Sequence, residues 1–188
     1  MFRRLRGLLL VAFLLLCGGC ANLVSGVTSQ LADDLAGSIL NSEDIDTVRE
    51  GVPAYLLLID SFLRSSPNSE DLLLAASSLN GAFSALVTDD DRIKLLSDKS
   101  MRYAERAACV AKSLLCDARQ QSYADFEKIV SSLNVADVQI AYALGLAWVG
   151  RLQANSDDWA VIAELSRAKL LMERVLELDE NYENGGPH

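Results

Sequence analysis

The spacing of apolar residues is the feature that most limits the folds open to this chain. Between residues 52 and 178 apolar residues recur every three or four positions, and no stretch alternates apolar and polar residues long enough to predict a β-strand. Side chains that recur with this period lie on one face of a helix. The sequence therefore predicts an all-α fold, whose first clear stripe comprises Val52, Tyr55, Leu56, Ile59, Phe62 and Leu63.

Turn and capping residues divide this region into successive helices. Residues 65–68 predict a turn, and a second helix over 69–87 carries the stripe Leu72, Leu73, Ala76, Leu79, Phe83 and Leu86. A third helix is predicted over 93–115, with these residues facing inward: Leu95, Leu96, Tyr103, Ala107 and Val110. Further helices are predicted over about 122–133, 135–153 and 157–178. Short turns make neighbouring helices antiparallel, and pairs of roughly 30 to 40 residues are typical of an α-solenoid of repeats.

The first twenty residues have the pattern of a lipoprotein signal peptide. Arg3, Arg4 and Arg6 precede an apolar run over residues 8–16, which ends in Cys17-Gly-Gly-Cys20. This run is too short for a membrane span, which needs about 20 apolar residues. We expect residues 1–19 to be removed and Cys20 to be acylated, so that lipid holds the protein on a membrane. The alternative is a soluble secreted protein that is cleaved nearby.

This reading divides the chain into three parts. They are the signal peptide 1–19, an anchor-proximal linker or short helix over 20–41, and a helical repeat domain over 42–188. Because Ala21 rather than Asp follows Cys20, sorting to the outer membrane, with the domain facing the periplasm, is expected.

The mature chain is strongly acidic. Removal of residues 1–19 takes away three arginines and leaves 14 basic residues against 26 acidic ones. Nucleic acid needs Lys and Arg to neutralise its phosphates, so the charge argues against a nucleic-acid partner. It argues equally against peripheral binding to anionic lipid headgroups. An acidic face suits a basic partner, although a solvated, soluble surface explains the charge as well.

Cys109 and Cys116 leave two alternatives open. On one continuous helix their Cα atoms would lie about 10.5 Å apart, whereas a disulfide needs no more than roughly 6.8 Å. A disulfide therefore requires the helix to end between them, and two buried, reduced thiols are the favoured alternative. No metal site is expected, because the only histidine is His188.

Residues suited to catalysis do not occur in any recognisable arrangement. A nucleophile with a base, a carboxylate pair or a metal cluster is needed for most enzyme chemistry, and none is found at the required spacing. Gly145 and Gly150 do not form a phosphate loop, since no Gly-Lys-Ser/Thr follows them, and close helix packing explains them better. We therefore expect a protein without enzymatic activity or a cofactor.

Four residues are candidates for a ligand or partner groove. Tyr142, Trp148 and Arg151 are spaced by multiples of three and so lie along one side of a helix. If that helix is the first of its repeat and lines a concave surface, these side chains face the groove; core packing is the favoured alternative for Tyr142 and Trp148. Asn80, beside an apolar stripe, is either a buried polar anchor or part of a solvated edge.

Several segments together resemble the TRAP transporter T-component lipoprotein family: residues 52–60, 66–67 with 72–76, 141–149, 171–174 and 182–188. Residues 168–179 also resemble the second helix of a tetratricopeptide repeat. The resemblance implies a periplasmic lipoprotein with a tetratricopeptide-like fold, which partners the solute-binding (P) component of a tripartite ATP-independent periplasmic transporter. It also implies a possible homo-oligomer, such as a trimer, around a central pore, and a hydrophobic small-molecule ligand.

We therefore expect a non-enzymatic adaptor that docks the solute-binding component and assists uptake of an organic solute. A tetratricopeptide-type lipoprotein scaffold for envelope protein assembly is the alternative. The family continues into further helices beyond the final Gly-Gly-Pro-His, so the chain is expected to be incomplete at its C-terminus.

Overall fold

The structure is a computed structural model that describes Ser38 and residues 41–187. The predicted signal peptide, the lipidation site Cys20 and His188 lie outside the described residues, as does most of the segment 20–41. Within the described part the regular structure is helical and no strand forms, so the all-α prediction is confirmed. The solenoid arrangement stays a prediction.

The helices are α1 (Ile45–Ser65), α2 (Glu70–Ser84), α3 (Asp90–Ala111), α4 (Tyr123–Ser131), α5 (Val138–Ala154), α6 (Trp159–Ile162) and α7 (Leu165–Leu178). Three short 3₁₀ helices accompany them, at Ser113–Leu115, Val135–Asp137 and Tyr182–Asn184. Several boundaries differ from the sequence prediction. The second helix ends at Ser84 rather than at residue 87, and the third begins at Asp90 rather than at residue 93. The third helix ends at Ala111 rather than Leu115, and the last predicted helix is broken between Ile162 and Leu165.

Side-chain caps explain where several helices begin. The Asp89 carboxylate accepts a hydrogen bond from the backbone N–H of Arg92 at 2.8 Å, and Ser122 accepts one from Asp125 at 3.2 Å. Asn134 and Asp137 form a capping box before α5. These bonds satisfy amides that have no partner within the helix. Ser122 and Asn134 lie at the starts that the sequence predicts for helices over about 122–133 and 135–153.

Close contacts between side chains fix the directions of α2 and α3. Ser77 of α2 lies beside Ser100 of α3, with their hydroxyl oxygens 3.2 Å apart. Near the other end of the pair, the Arg92 guanidinium lies over the Phe83 ring at 5.6 Å. Residue numbers rise along one helix as they fall along the other, so α2 and α3 are antiparallel.

The same reasoning orders the remaining helices. The ion pairs Asp98–Arg151, at 2.8 Å, and Lys112–Asp137, at 2.7 Å, make α3 and α5 antiparallel. The α7 helix packs against α5 in turn. Because α3 is antiparallel to both α2 and α5, these two helices run in the same direction, side by side.

The core lies where α3, α4, α5 and α7 meet. Trp148 is fully buried there, and its ring packs edge-to-face on Phe126 with centroids 5.7 Å apart. The predicted inward positions Leu95 and Val110 are wrong, since they are 60% and 42% exposed. The predicted inward positions Leu96 and Ala107 are buried. The rest of the buried face of α3 is mostly small, beside Met101, because α2 and α5 approach it closely: Ser97, Ser100, Ala104 and Ala108.

Among the described helices, none alone has the length and apolar character to cross a membrane. Only the sharply bent pair Tyr123–Ser131 and Val135–Ala154, at 114°, meets those two criteria together.

Candidate functional site

A groove of about 870 Å³ runs between α2 and α5. This volume falls within the range of small-molecule sites, about 300–1,000 Å³. Small residues line both of its sides and leave the space between the two helices unfilled: Ala75, Gly81, Ala82, Ala143, Ala147 and Gly150. We call this space the α2–α5 groove.

Larger apolar side chains line the α2–α5 groove along its length. Leu74 on α2 and Leu146 and Val149 on α5 face it, and Ile93 of α3 contributes near the end of α2. Leu146 is 51% exposed. This is unusual for a leucine in the middle of α5, a helix that packs against both α3 and α7. The groove is therefore a largely apolar surface that is open to solvent.

Two tyrosines form one end of the α2–α5 groove. Tyr142, in the second turn of α5, meets Tyr182 edge-to-face with ring centroids 5.2 Å apart. Tyr182 begins a turn in which Glu183 and Gly185 have left-handed backbones, with φ of 50° and 85°. This turn brings Glu183 into the groove lining beside the two rings.

Burial and charge both act on this aromatic end. The pKa of Tyr142 is raised above its ordinary value, first by burial and then by the negative charge of Glu183. The pKa of Tyr182 is raised by burial and by the same carboxylate. Both shifts mean that a negative charge on either ring is disfavoured beside Glu183.

Of the four candidates from the sequence, the structure brings only Tyr142 into the groove. Trp148 lies in the core, where its indole N–H donates to Oε2 of Glu164 at 2.8 Å. Arg151 is directed to the same carboxylate at 3.0 Å and to Asp98 at 2.8 Å. A helix turns 100° per residue, so Trp148 and Arg151 lie well away from the side of α5 that carries Tyr142 and Leu146.

Glu164 is the centre of an ion cluster on the side of α5 away from the groove. Arg119 lies 3.8 Å from its other oxygen and makes two hydrogen bonds to Glu105, at 2.6 and 3.1 Å. The pKa of Arg119 is raised, above all by the bond to Glu105. The cluster connects α3, the loop after it, α5 and the start of α7.

Asn80 is a buried polar residue outside the groove lining. It is only 1% exposed, and its amide donates to the carbonyl of Ala76 at 2.7 Å. Its side-chain oxygen has no hydrogen-bond partner. Of the two alternatives from the sequence, a buried polar residue or part of a solvated edge, Asn80 is therefore the buried one.

The structure joins Cys109 and Cys116 in a disulfide, with Cα atoms 4.3 Å apart. The condition set by the sequence is met, since α3 ends at Ala111 between them. The structure therefore has the disulfide and not the two reduced thiols that the sequence analysis favoured. Periplasmic conditions permit such a bond.

Sequence reasoning missed several groove residues, notably Leu74, Leu146, Tyr182 and Glu183. The α5 helix is apolar on nearly all sides, so its periodicity does not tell which side is covered by protein. Tyr182 and Glu183 follow the last helix, and only the folded turn shows that they reach α5.

Two comparisons bear on the chain as a whole. A family model described as TRAP transporter T-component matches residues 41–188. No curated protein sequence matches the chain significantly.

Across the residues that the structure describes, no three His, Cys, Asp or Glu side chains come together as metal ligands.

Proposed function

We propose, from the premise that this chain belongs to the TRAP transporter T-component family, that it is an adaptor that docks the transporter's solute-binding component and assists uptake of an organic solute. The family is one of transport components and not of known enzymes, and membership supports a periplasmic location. In this role the protein docks the solute-binding component and holds the apolar part of the solute in the α2–α5 groove.

The observation that carries the proposal is the α2–α5 groove itself. Clefts of this volume that are lined mainly by apolar side chains are the usual form of a small-molecule site. Its lining combines small residues with Leu74, Leu146 and Val149, which suits an apolar molecule.

The anchor belongs to the same proposal. Acylation of Cys20 would hold the protein at the outer membrane through the linker 20–41, with the helical domain 42–188 in the periplasm. A tetratricopeptide-like arrangement of α2 with α3 and α5 with α7 would put α2 and α5 on the concave side. A trimer would repeat the groove around a common axis.

A pull-down of the full-length, lipidated protein from its native envelope tests the docking. Recovery of a TRAP solute-binding protein, identified by mass spectrometry, is the expected result. Repeated recovery of envelope-assembly machinery without a solute-binding protein would overturn the adaptor role in favour of a scaffold.

Two glycine variants give this test a matched pair. A side chain at Gly150 would enter the groove, while one at Gly51 of α1 would point into open space; neither has another atom within 4 Å of its ideal Cβ position. Gly150→Phe is therefore expected to fill the groove and reduce solute-dependent recovery of the partner, and Gly51→Phe to leave it unchanged.

A further inference from the structure

The charges around the α2–α5 groove say which solutes suit it. No Lys, Arg or His occurs among its lining residues in the described chain, whereas Asp71 and Glu183 do. An organic acid bound there would leave its carboxylate without a cationic partner and close to like charges, which is unfavourable in partly buried surroundings.

Both acidic residues lie at the aromatic end. Asp71 is in the first turn of α2 and Tyr142 is near the start of α5, and the two helices run in the same direction. Asp71 and the Tyr142–Tyr182 pair therefore lie toward the same end of the groove, where Glu183 completes the lining.

Helix N-termini ordinarily favour anions. At the N-termini of α2 and α5, acidic side chains of the chain itself already occupy this position. Glu70 and Asp71 are in the first turn of α2. Asp137 is the N-cap residue of α5 and forms a 2.7 Å ion pair with Lys112. Carboxylates at these positions offset the positive end of each helix dipole.

We infer that the α2–α5 groove binds an apolar organic molecule whose polar end is a cation, an amine or a quaternary ammonium group, placed against Tyr142, Tyr182 and Glu183. Aromatic rings attract cations through the negative charge on their faces, and a nearby carboxylate adds to the attraction. The inference rests on the proposed function, because it specifies the solute for the same groove.

Three probes with one apolar body and different end groups test the charge preference. They are 3-phenylpropyltrimethylammonium, 3-phenylpropanol and 4-phenylbutyrate, titrated calorimetrically into the full-length protein in lipid nanodiscs, with empty nanodiscs as the blank. We expect the ammonium probe to bind about tenfold more tightly than the alcohol, and the butyrate to bind most weakly. Equal affinities, or tightest binding of the butyrate, would overturn the inference.

Variants locate the bound probe. Glu183→Gln is expected to remove most of the preference for the ammonium probe while leaving the affinity for the alcohol unchanged. Glu180→Gln is the matched control, since Glu180 is exposed and does not line the groove. Gly150→Phe is expected to abolish binding of all three probes and Gly51→Phe to preserve it.

Failure of the inference and failure of the proposed function give different results. Absence of binding by every probe, or binding that Gly150→Phe does not weaken, would overturn the cation site. Recovery of the solute-binding protein in the pull-down is scored without these probes, so the adaptor role stands or falls separately.

Discussion

Trp148 and Glu164 are joined by a hydrogen bond of 2.8 Å from the buried indole to a carboxylate at the start of α7. The same carboxylate accepts from Arg151 at 3.0 Å. Glu164 follows Trp148 by sixteen positions, and the short helix α6 lies between them. The bond therefore holds the start of α7 against α5.

Loss of the Glu164 carboxylate should destabilise the fold. Glu164→Ala leaves the Trp148 N–H without its partner and Arg151 with one carboxylate fewer, and we expect the free energy of unfolding to fall by about 2–4 kcal/mol. Urea denaturation measures the change. Glu177→Ala is the control, because Glu177 pairs with Arg174 at 2.8 Å but is 65% exposed, and it should cost about 0.5 kcal/mol or less. Equal losses would show that the cluster stabilises the fold no more than an exposed ion pair does.

The Cys109–Cys116 disulfide should stabilise the protein by restricting the unfolded chain. The bond closes a short loop, for which the chain-entropy relation gives about 2.5 kcal/mol. We expect dithiothreitol to lower the unfolding temperature of the parent protein. A Cys109→Ala/Cys116→Ala double variant should start from the lower temperature and show no response to the reductant. A parent protein that is indifferent to dithiothreitol, with both thiols titrating freely, would contradict the bond.

The sequence was sufficient for the number and type of long helices, because period and capping residues agree at most boundaries. It was not sufficient to predict which face of each helix is buried. The predicted α3 stripe included Leu95 and Val110, which are exposed, whereas contact with two neighbours buries the small side chains Ala104 and Ala108. Residue size at a helix interface decides burial there, and a hydropathy pattern does not record it.

The groove was harder to predict for a related reason. Tyr142 and Trp148 are both apolar enough for a core, and the choice between them depends on the position of Glu164, which lies beyond α6. The left-handed turn that brings Glu183 to Tyr142 follows the last helix and has no periodic signal. Long-range contacts of this kind appear only in the folded chain.

The free energy of unfolding should fall in alkaline solution because of Tyr103. Burial, followed by its hydrogen bond to Asp60, raises the pKa of Tyr103 to about 12, whereas an unfolded tyrosine titrates near 10. Between these values the unfolded state releases its proton while the folded state keeps it. The stability present below pH 10 is therefore lost as the pH rises from about 10 to 12.

Unfolding measured between pH 8 and pH 12 checks this slope. Tyr103→Phe should make the decline shallower, and Tyr123→Phe, at an exposed position in the first turn of α4, should keep the parent's slope. A decline of the same steepness in Tyr103→Phe would assign the effect to other groups.

Gly145 and Gly150 lie on different sides of α5, and substitutions there should have opposite effects. A Cβ at Gly145 would overlap the side chain of Met172 in α7, while one at Gly150 meets no atom within 4 Å. We expect Gly145→Leu to lower the free energy of unfolding by about 1–3 kcal/mol, because the added side chain overpacks the α5–α7 contact. Gly150→Leu should raise it by about 0.5–1 kcal/mol, because leucine favours a helix more than glycine does. Urea denaturation distinguishes these outcomes. A loss at Gly150 equal to that at Gly145 would mean that the side of α5 facing the groove is covered by protein, and the α2–α5 groove would then not be open to a ligand.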